Sequence, residues 1–122
     1  MMSVCVIVTH AKDDVDRATI SLTLANAALD SSEKVLIILA SEGVRLAVKG
    51  YAEGMNNGEP FKPMKALLQE VLVKGAELNV CTPCLKKRAI KDTDLLQHEN
   101  LRLIGGADVI RILKQADRSL QL

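Results

Sequence analysis

The alternation of short apolar runs with helical patterns restricts the fold of this 122-residue chain more than any other feature. Val4 to Thr9 is β-branched and continuously apolar, without the in-and-out alternation of a half-exposed strand. Such a run suits a strand buried on both faces, as in a parallel sheet. Lys34–Ala40 reads the same way, and Glu77–Cys81 and Leu101–Ile104 supply a third and a fourth strand. Ser119–Leu122 is a short fifth candidate. Strands separated by helices at this spacing imply right-handed βαβ crossovers. The expected fold is therefore a three-layer α/β/α domain over residues 1–122. Its sheet is open and mostly parallel, with about five strands and helices on both faces.

The helical segments carry their own start and stop signals. Asp13 or Asp14 is an N-cap candidate for a helix running to about Leu29. Val15, Ala18, Leu22, Ala25 and Leu29 make one apolar stripe, and Ile20, Leu24 and Ala27 a second. A helix with two apolar faces meets a sheet on one side and a further surface on the other, a second subunit being one candidate. Asp30-Ser31-Ser32-Glu33 is turn chemistry. A short helix opens at Ser41-Glu42-Gly43 and is closed by Gly50. Residues 53–60, rich in Gly and Asn, read as a loop long enough to cover a site. Pro63 starts a helix whose stripe is Met64, Leu67, Leu68, Val71 and Leu72, and Gly75 ends it. Gly105-Gly106 turns the fourth strand into a last helix from Ala107 to Ala116.

Composition excludes several function classes. Tyr51 and Phe61 are the whole aromatic content, with no Trp, so base-stacking platforms for RNA or single-stranded DNA are missing. A net charge of +1 argues against direct nucleic-acid binding or a general membrane-surface role. No apolar run approaches the roughly 18–20 residues of a membrane span. The first residues lack the basic region and cleavage site of a signal peptide, so a cytoplasmic location is expected. Three cysteines do not suit a disulfide framework and are expected as thiols in a reducing compartment.

Chemistry concentrates at Asn79-Val80-Cys81-Thr82-Pro83-Cys84-Leu85-Lys86-Lys87-Arg88. In open parallel sheets, reactive groups gather beyond the carboxyl ends of the strands. Cys81 ends the third strand there, together with His10, Ser41-Glu42-Gly43 and Gly105-Gly106 at the ends of the others. A sulfur at a helix start sees unpaired N–H groups, and Lys86, Lys87 and Arg88 add positive charge, so Cys81 is expected to be thiolate-like. Cys84 lies one turn further on, as a resolving thiol, a second sulfur carrier or a packing group. Cys5, inside the first strand, reads as a small buried hydrophobe.

Three chemistries fit a Cys-x-x-Cys. A structural zinc site takes four ligands, and the additional soft ligands here are only Cys5, His10 and His98, so no metal is expected. A thioredoxin-type thiol–disulfide oxidoreductase uses the motif near a βαβ unit, but continues into antiparallel strands where this chain continues its β/α alternation. The third chemistry is sulfur transfer through a persulfide. No cofactor is implied by any of them.

With these residues in view, the chain resembles the DsrE/DsrF/DsrH-like family of sulfur-relay proteins, which includes Tus-type relay subunits. The resemblance covers essentially the whole chain. It rests on Val4–Thr9, on Val35–Leu39 followed by Glu42-Gly43-Val44, and on Val80-Cys81 followed by Lys87-Arg88-Ala89-Ile90. In that family the strand-ending cysteine is followed seven or eight residues later by a basic residue, usually Arg with Gly and an aliphatic after it. Arg88 has that spacing, and Ala89 stands where Gly is usual. Gly105-Gly106-Ala107-Asp108 also matches the glycine-started last helix of the family. The resemblance implies a trimeric or hexameric homo-oligomer whose Cys81 accepts persulfide sulfur from a small donor protein and passes it on, a sulfurtransferase-type carrier if active. Cys84 would assist. The alternative is a non-catalytic oligomeric binding or scaffold subunit of the same fold.

Further residues at the rim complete the candidate site. His10 could orient a sulfur or act as a base, against the simpler reading of a solvated loop histidine. Glu42 is more readily a helix-start carboxylate than a catalytic acid. Lys87 and Arg88 belong to a basic run that is either a solvated face or a surface for a persulfide anion or an acidic partner. Gly105-Gly106 is weak as an anion cradle without a longer glycine pattern.

Overall fold

The structure is a computed structural model describing residues 2–31 and 33–122; Met1, and Ser32 in the expected turn, lie outside the described residues. Five strands form one sheet: β1 Ser3–Val8, β2 Lys34–Leu39, β3 Glu77–Cys81, β4 Leu101–Ile104 and β5 Arg118–Gln121. The order is β4-β3-β2-β1-β5, and every pairing is parallel. The helices are α1 Val15–Asp30, α2 Met64–Val73, α3 Thr82–Lys87 and α4 Gly106–Gln115. The expected five-strand α/β architecture is thus present, and the sheet is wholly rather than mostly parallel.

Register sorts the strand side chains into two layers. Val8 pairs with Leu39 and Leu39 with Val80, so Val6, Val8, Ile37, Leu39, Leu78 and Val80 share one face. That face packs against Leu22 of α1, Leu67 and Val71 of α2 and Leu85 of α3. Cys5, Ile38 and Ile104 point the other way and meet Ile112 of α4. Three helices therefore cover one face and α4 the other. This follows from topology, because α4 must carry the chain from edge strand β4 back to β5 at the opposite edge. Cys5 is fully buried, as expected for a small hydrophobe, and burial pushes its thiol pKa up.

Local signals act where the sequence places them. Asp14 caps α1, its carboxylate accepting the Arg17 N–H at 3.1 Å. Ala18, Leu22 and Ala25 bury the first stripe of α1, whereas Leu24 of the second stripe stays exposed. The segment expected as a short helix from Ser41 is a tighter 3₁₀ stretch, Ser41–Ala47. Residues 53–60 are fastened to the body of the domain. Asn57 is tied to Asp16 of α1 at 2.9 Å, and the Met55 side chain is buried in the main core. Beyond α3, Val48 and Leu95 form an antiparallel bridge that the sequence pattern does not announce.

Candidate functional site

Buried Leu78 and Val80 anchor β3, so Cys81 emerges at the carboxyl rim of the sheet, half-buried. Pro83 follows at the start of α3, where its missing N–H has no helical partner to lose. One turn on, half-buried Cys84 meets the end of the neighbouring strand. Its Sγ accepts the backbone N–H of Ser41 at 3.2 Å. Ser41 achieves this in the left-handed region, at φ 52°. That backbone costs a non-glycine residue about 1–2 kcal/mol, and the Cys84 contact is what it gains.

Around this pair stands an ionic clamp. Arg88, expected on a basic face, turns inward, and its side chain is only 12% exposed. Its Nε donates to Glu42 Oε2, its Nη1 to the Cys84 carbonyl at 3.1 Å, and its Nη2 to Ser41 Oγ at 3.4 Å. Glu42 Oε1 accepts from Arg45 Nε at 2.8 Å. Hydrogen bonds from the two guanidinium groups hold the Glu42 carboxyl below its ordinary range, so it remains ionised at neutral pH. Glu42 is therefore an anchor for two arginines rather than a proton donor. Gly43 seats this segment against the adjacent strand: a Cβ there would lie 2.0 Å from the Val8 carbonyl oxygen.

The protonation of Cys81 departs from the expectation. Burial pushes its thiol pKa up, and the neighbouring Cys84 thiol adds to the shift. The Cys84 backbone N–H and the Arg88 charge pull down more weakly. Cys81 is thus a resting thiol rather than a thiolate. The physical reason is that α3 has only 6 residues and Lys86 and Lys87 are exposed, so dipole and screened charge do not offset desolvation.

Cys81, Cys84, Glu42 and Arg88 therefore come together, and two residues join them that the sequence reading did not single out as site residues. Ser41 was visible only as a rim position. Arg45 had a signal in its spacing three residues after Glu42, the distance at which opposite charges meet on a helical turn. His10 is held elsewhere on the rim, its Nδ1 bonded to Asp13 Oδ2 at 2.7 Å. Among the described residues it makes no hydrogen bond to either cysteine. Lys87 is exposed and has no ion pair among the described residues. Cys5, His10 and His98 do not gather with the cysteine pair, and no group of three or more metal-ligating side chains is found among the described residues. The Gly105 N–H points at Asp108 Oδ2, 2.9 Å away, so the chain's own carboxylate fills that helix start.

The chain as a whole has recognisable relatives. The chain is 33% identical over 116 residues to Uncharacterized protein MJ0989 of Methanocaldococcus jannaschii, covering 95% of this chain and 96% of that protein. It is 30% identical over 114 residues to Uncharacterized protein MK0008 of Methanopyrus kandleri, covering 93% and 88%. The crystal structure of the ychN protein from E. coli superposes with a TM-score of 0.81 at 18% identity, covering 100% of both chains. Protein MTH1491 from Methanobacterium thermoautotrophicum gives a TM-score of 0.69 at 14% identity, covering 99% and 98%. These two structures share the fold. The sequence pattern of the DsrE/DsrF-like family matches residues 2–122, and the chain belongs to that family.

Proposed function

We propose that this protein is a cytoplasmic sulfur-relay carrier, with Cys81 as the residue that bears the persulfide. The observation that carries the reading is the Cys81–Cys84 pair at the rim of the sheet, braced by Arg88 on Glu42 and by the Ser41 amide. In the transfer, the Cys81 thiol gives up its proton as its sulfur attacks the outer sulfur of a donor persulfide, and that proton is returned to the departing donor sulfur. The new bond joins Cys81 Sγ to that sulfur, and the donor leaves as its thiol. The Arg88 charge favours negative charge on the Cys81 sulfur, and exposed Lys86 and Lys87 suit an acidic donor protein. A homo-oligomer, trimer or hexamer, is part of the proposal. Exposed Leu24, Leu103 and Ile110 are apolar side chains that an assembly would cover.

The test is to incubate the purified protein with a persulfide donor and measure its intact mass. A gain of one sulfur that persists in Cys84→Ser and disappears in Cys81→Ser supports the relay. No gain at either cysteine overturns it.

A further inference from the structure

A relay needs only one cysteine, yet Cys84 is not idle packing. Its sulfur is the acceptor of a backbone N–H delivered from a left-handed residue, Ser41, at the start of the 3₁₀ stretch that follows β2. Arg88 fixes the Cys84 carbonyl from the other side. Negative charge on Cys84 Sγ would find a donor already aimed at it, and such bonds strengthen when the acceptor ionises. The two cysteines also sit at the start of one helix, three residues apart. A disulfide spans Cα atoms about 4.4–6.8 Å apart, and one helical turn rises about 5.4 Å. The mutual influence of the two sulfurs on protonation agrees with their proximity.

We propose that Cys84 discharges the sulfur held on Cys81, so that the site delivers sulfide and cycles through a Cys81–Cys84 disulfide. This rests on the relay reading above. The Cys84 thiolate attacks Cys81 Sγ, the inner sulfur of the persulfide. The Cys84 Sγ–Cys81 Sγ bond forms, the bond to the outer sulfur breaks, and hydrosulfide leaves with the electron pair. The sulfane sulfur is reduced by two electrons, and the two cysteines are oxidised by the same two. An external dithiol reductant then returns the disulfide to two thiols. The consumer of the product is a reaction that takes sulfide as nucleophile, and it differs from one that accepts a persulfide by thiol exchange.

The experiment loads the reduced full-length protein with a persulfide donor, removes the donor, and follows released sulfide and intact mass over time without added thiol. The wild-type protein is expected to release its sulfur stoichiometrically and to end two hydrogens lighter than the reduced chain. Cys84→Ser is expected to load, to keep the extra sulfur, and to release none. Loading itself reports that this variant is folded. If the wild-type protein loads but holds its sulfur as long as Cys84→Ser does, the discharge is overturned while the relay stands. Loading that requires Cys84 instead of Cys81 overturns the division of roles. Absence of loading in the wild-type protein overturns both.

Discussion

Arg88 Nε donates to Glu42 Oε2, joining the end of α3 to the segment that leaves β2. The Arg88 side chain is largely buried, and it has three acceptors in hand, on Glu42, Cys84 and Ser41. Removing it leaves the Cys84 carbonyl without this donor and Glu42 with Arg45 alone. Arg88→Ala is expected to destabilise the fold by about 1.5–3 kcal/mol, the range for hydrogen bonds to charged groups. Arg88→Lys should recover only part of that, because an ammonium cannot reproduce a planar fork reaching three acceptors. Urea melts of the three proteins check this. Equal midpoints for all three would remove the clamp from the account.

The same clamp and the cysteines set opposite limbs of a stability–pH curve. The Glu42 carboxyl is depressed in the folded state by its hydrogen bonds to Arg88 and Arg45. A depressed acid stabilises the fold above its unfolded pKa, about 4.3 for glutamate, and that stability is lost as pH falls through the folded value. Cys81 and Cys5 are raised by burial. Raised thiols favour the fold below their unfolded pKa of about 8.5, and the benefit is lost as pH rises beyond it, because the unfolded chain releases its protons first. Melts across pH should show both limbs. Glu42→Gln should make the acid limb shallower, the other depressed carboxyls keeping part of it, and Cys81→Ser should make the alkaline limb shallower, leaving the share of Cys5.

Ala89 stands at φ 55°, just past the end of α3, with its N–H bonded to the Lys86 carbonyl at 3.1 Å. The Ile90 N–H reaches back to the Leu85 carbonyl at 3.0 Å. These bonds hold the chain in a helix-ending turn that glycine adopts without strain. Ala89→Gly is therefore expected to stabilise the protein by about 1 kcal/mol, against the usual penalty of that exchange. A rise of a few degrees in Tm is the readout. A fall would mean that the left-handed backbone is not what this position demands.

How far the sequence disclosed this site depends on which interactions are local. The strands were legible because Val4–Thr9 and Lys34–Ala40 carry a burial pattern that no loop would keep. The position of Cys81 followed from the strand that ends there. Glu42 and Arg88 could be named, but not their pairing, since 46 residues separate them and only the β2–β3 register brings them together. The inward turn of Arg88 was hidden for the same reason, as a basic run of three looks uniformly solvated until one member finds a carboxylate on a neighbouring segment. Ser41 gave no composition signal, because serine is an uncommon choice for positive φ. The acidity expected of Cys81 failed because a short helix start suggested a dipole, while the burial that opposes it comes from tertiary packing.

Gly43 offers the sharpest test of how the site is seated. Val8 O accepts the Ala40 N–H at 3.0 Å, and a Cβ on Gly43 would lie 2.0 Å from that oxygen and 2.8 Å from its carbon. Both obstacles are backbone atoms of β1, a strand paired on both sides, so neither can swing away as a side-chain tip would. Relief requires the 3₁₀ segment to lift from the sheet, carrying Ser41 and Glu42 with it. Gly43→Ala is expected to cost about 3 kcal/mol, the upper part of the range for overpacking. It should also weaken the Ser41–Cys84 contact, so the alkylation rate of Cys84 in the folded protein should change together with the melt. Gly50→Ala is the matched comparison. Unlike Gly43 it has positive φ, at 75°, and nothing lies within 4 Å of its added Cβ. It should lose only the backbone strain of about 1–2 kcal/mol and leave Cys84 reactivity as it is. Equal losses and equal reactivity in the two variants would show that close approach to Val8 does not position the site.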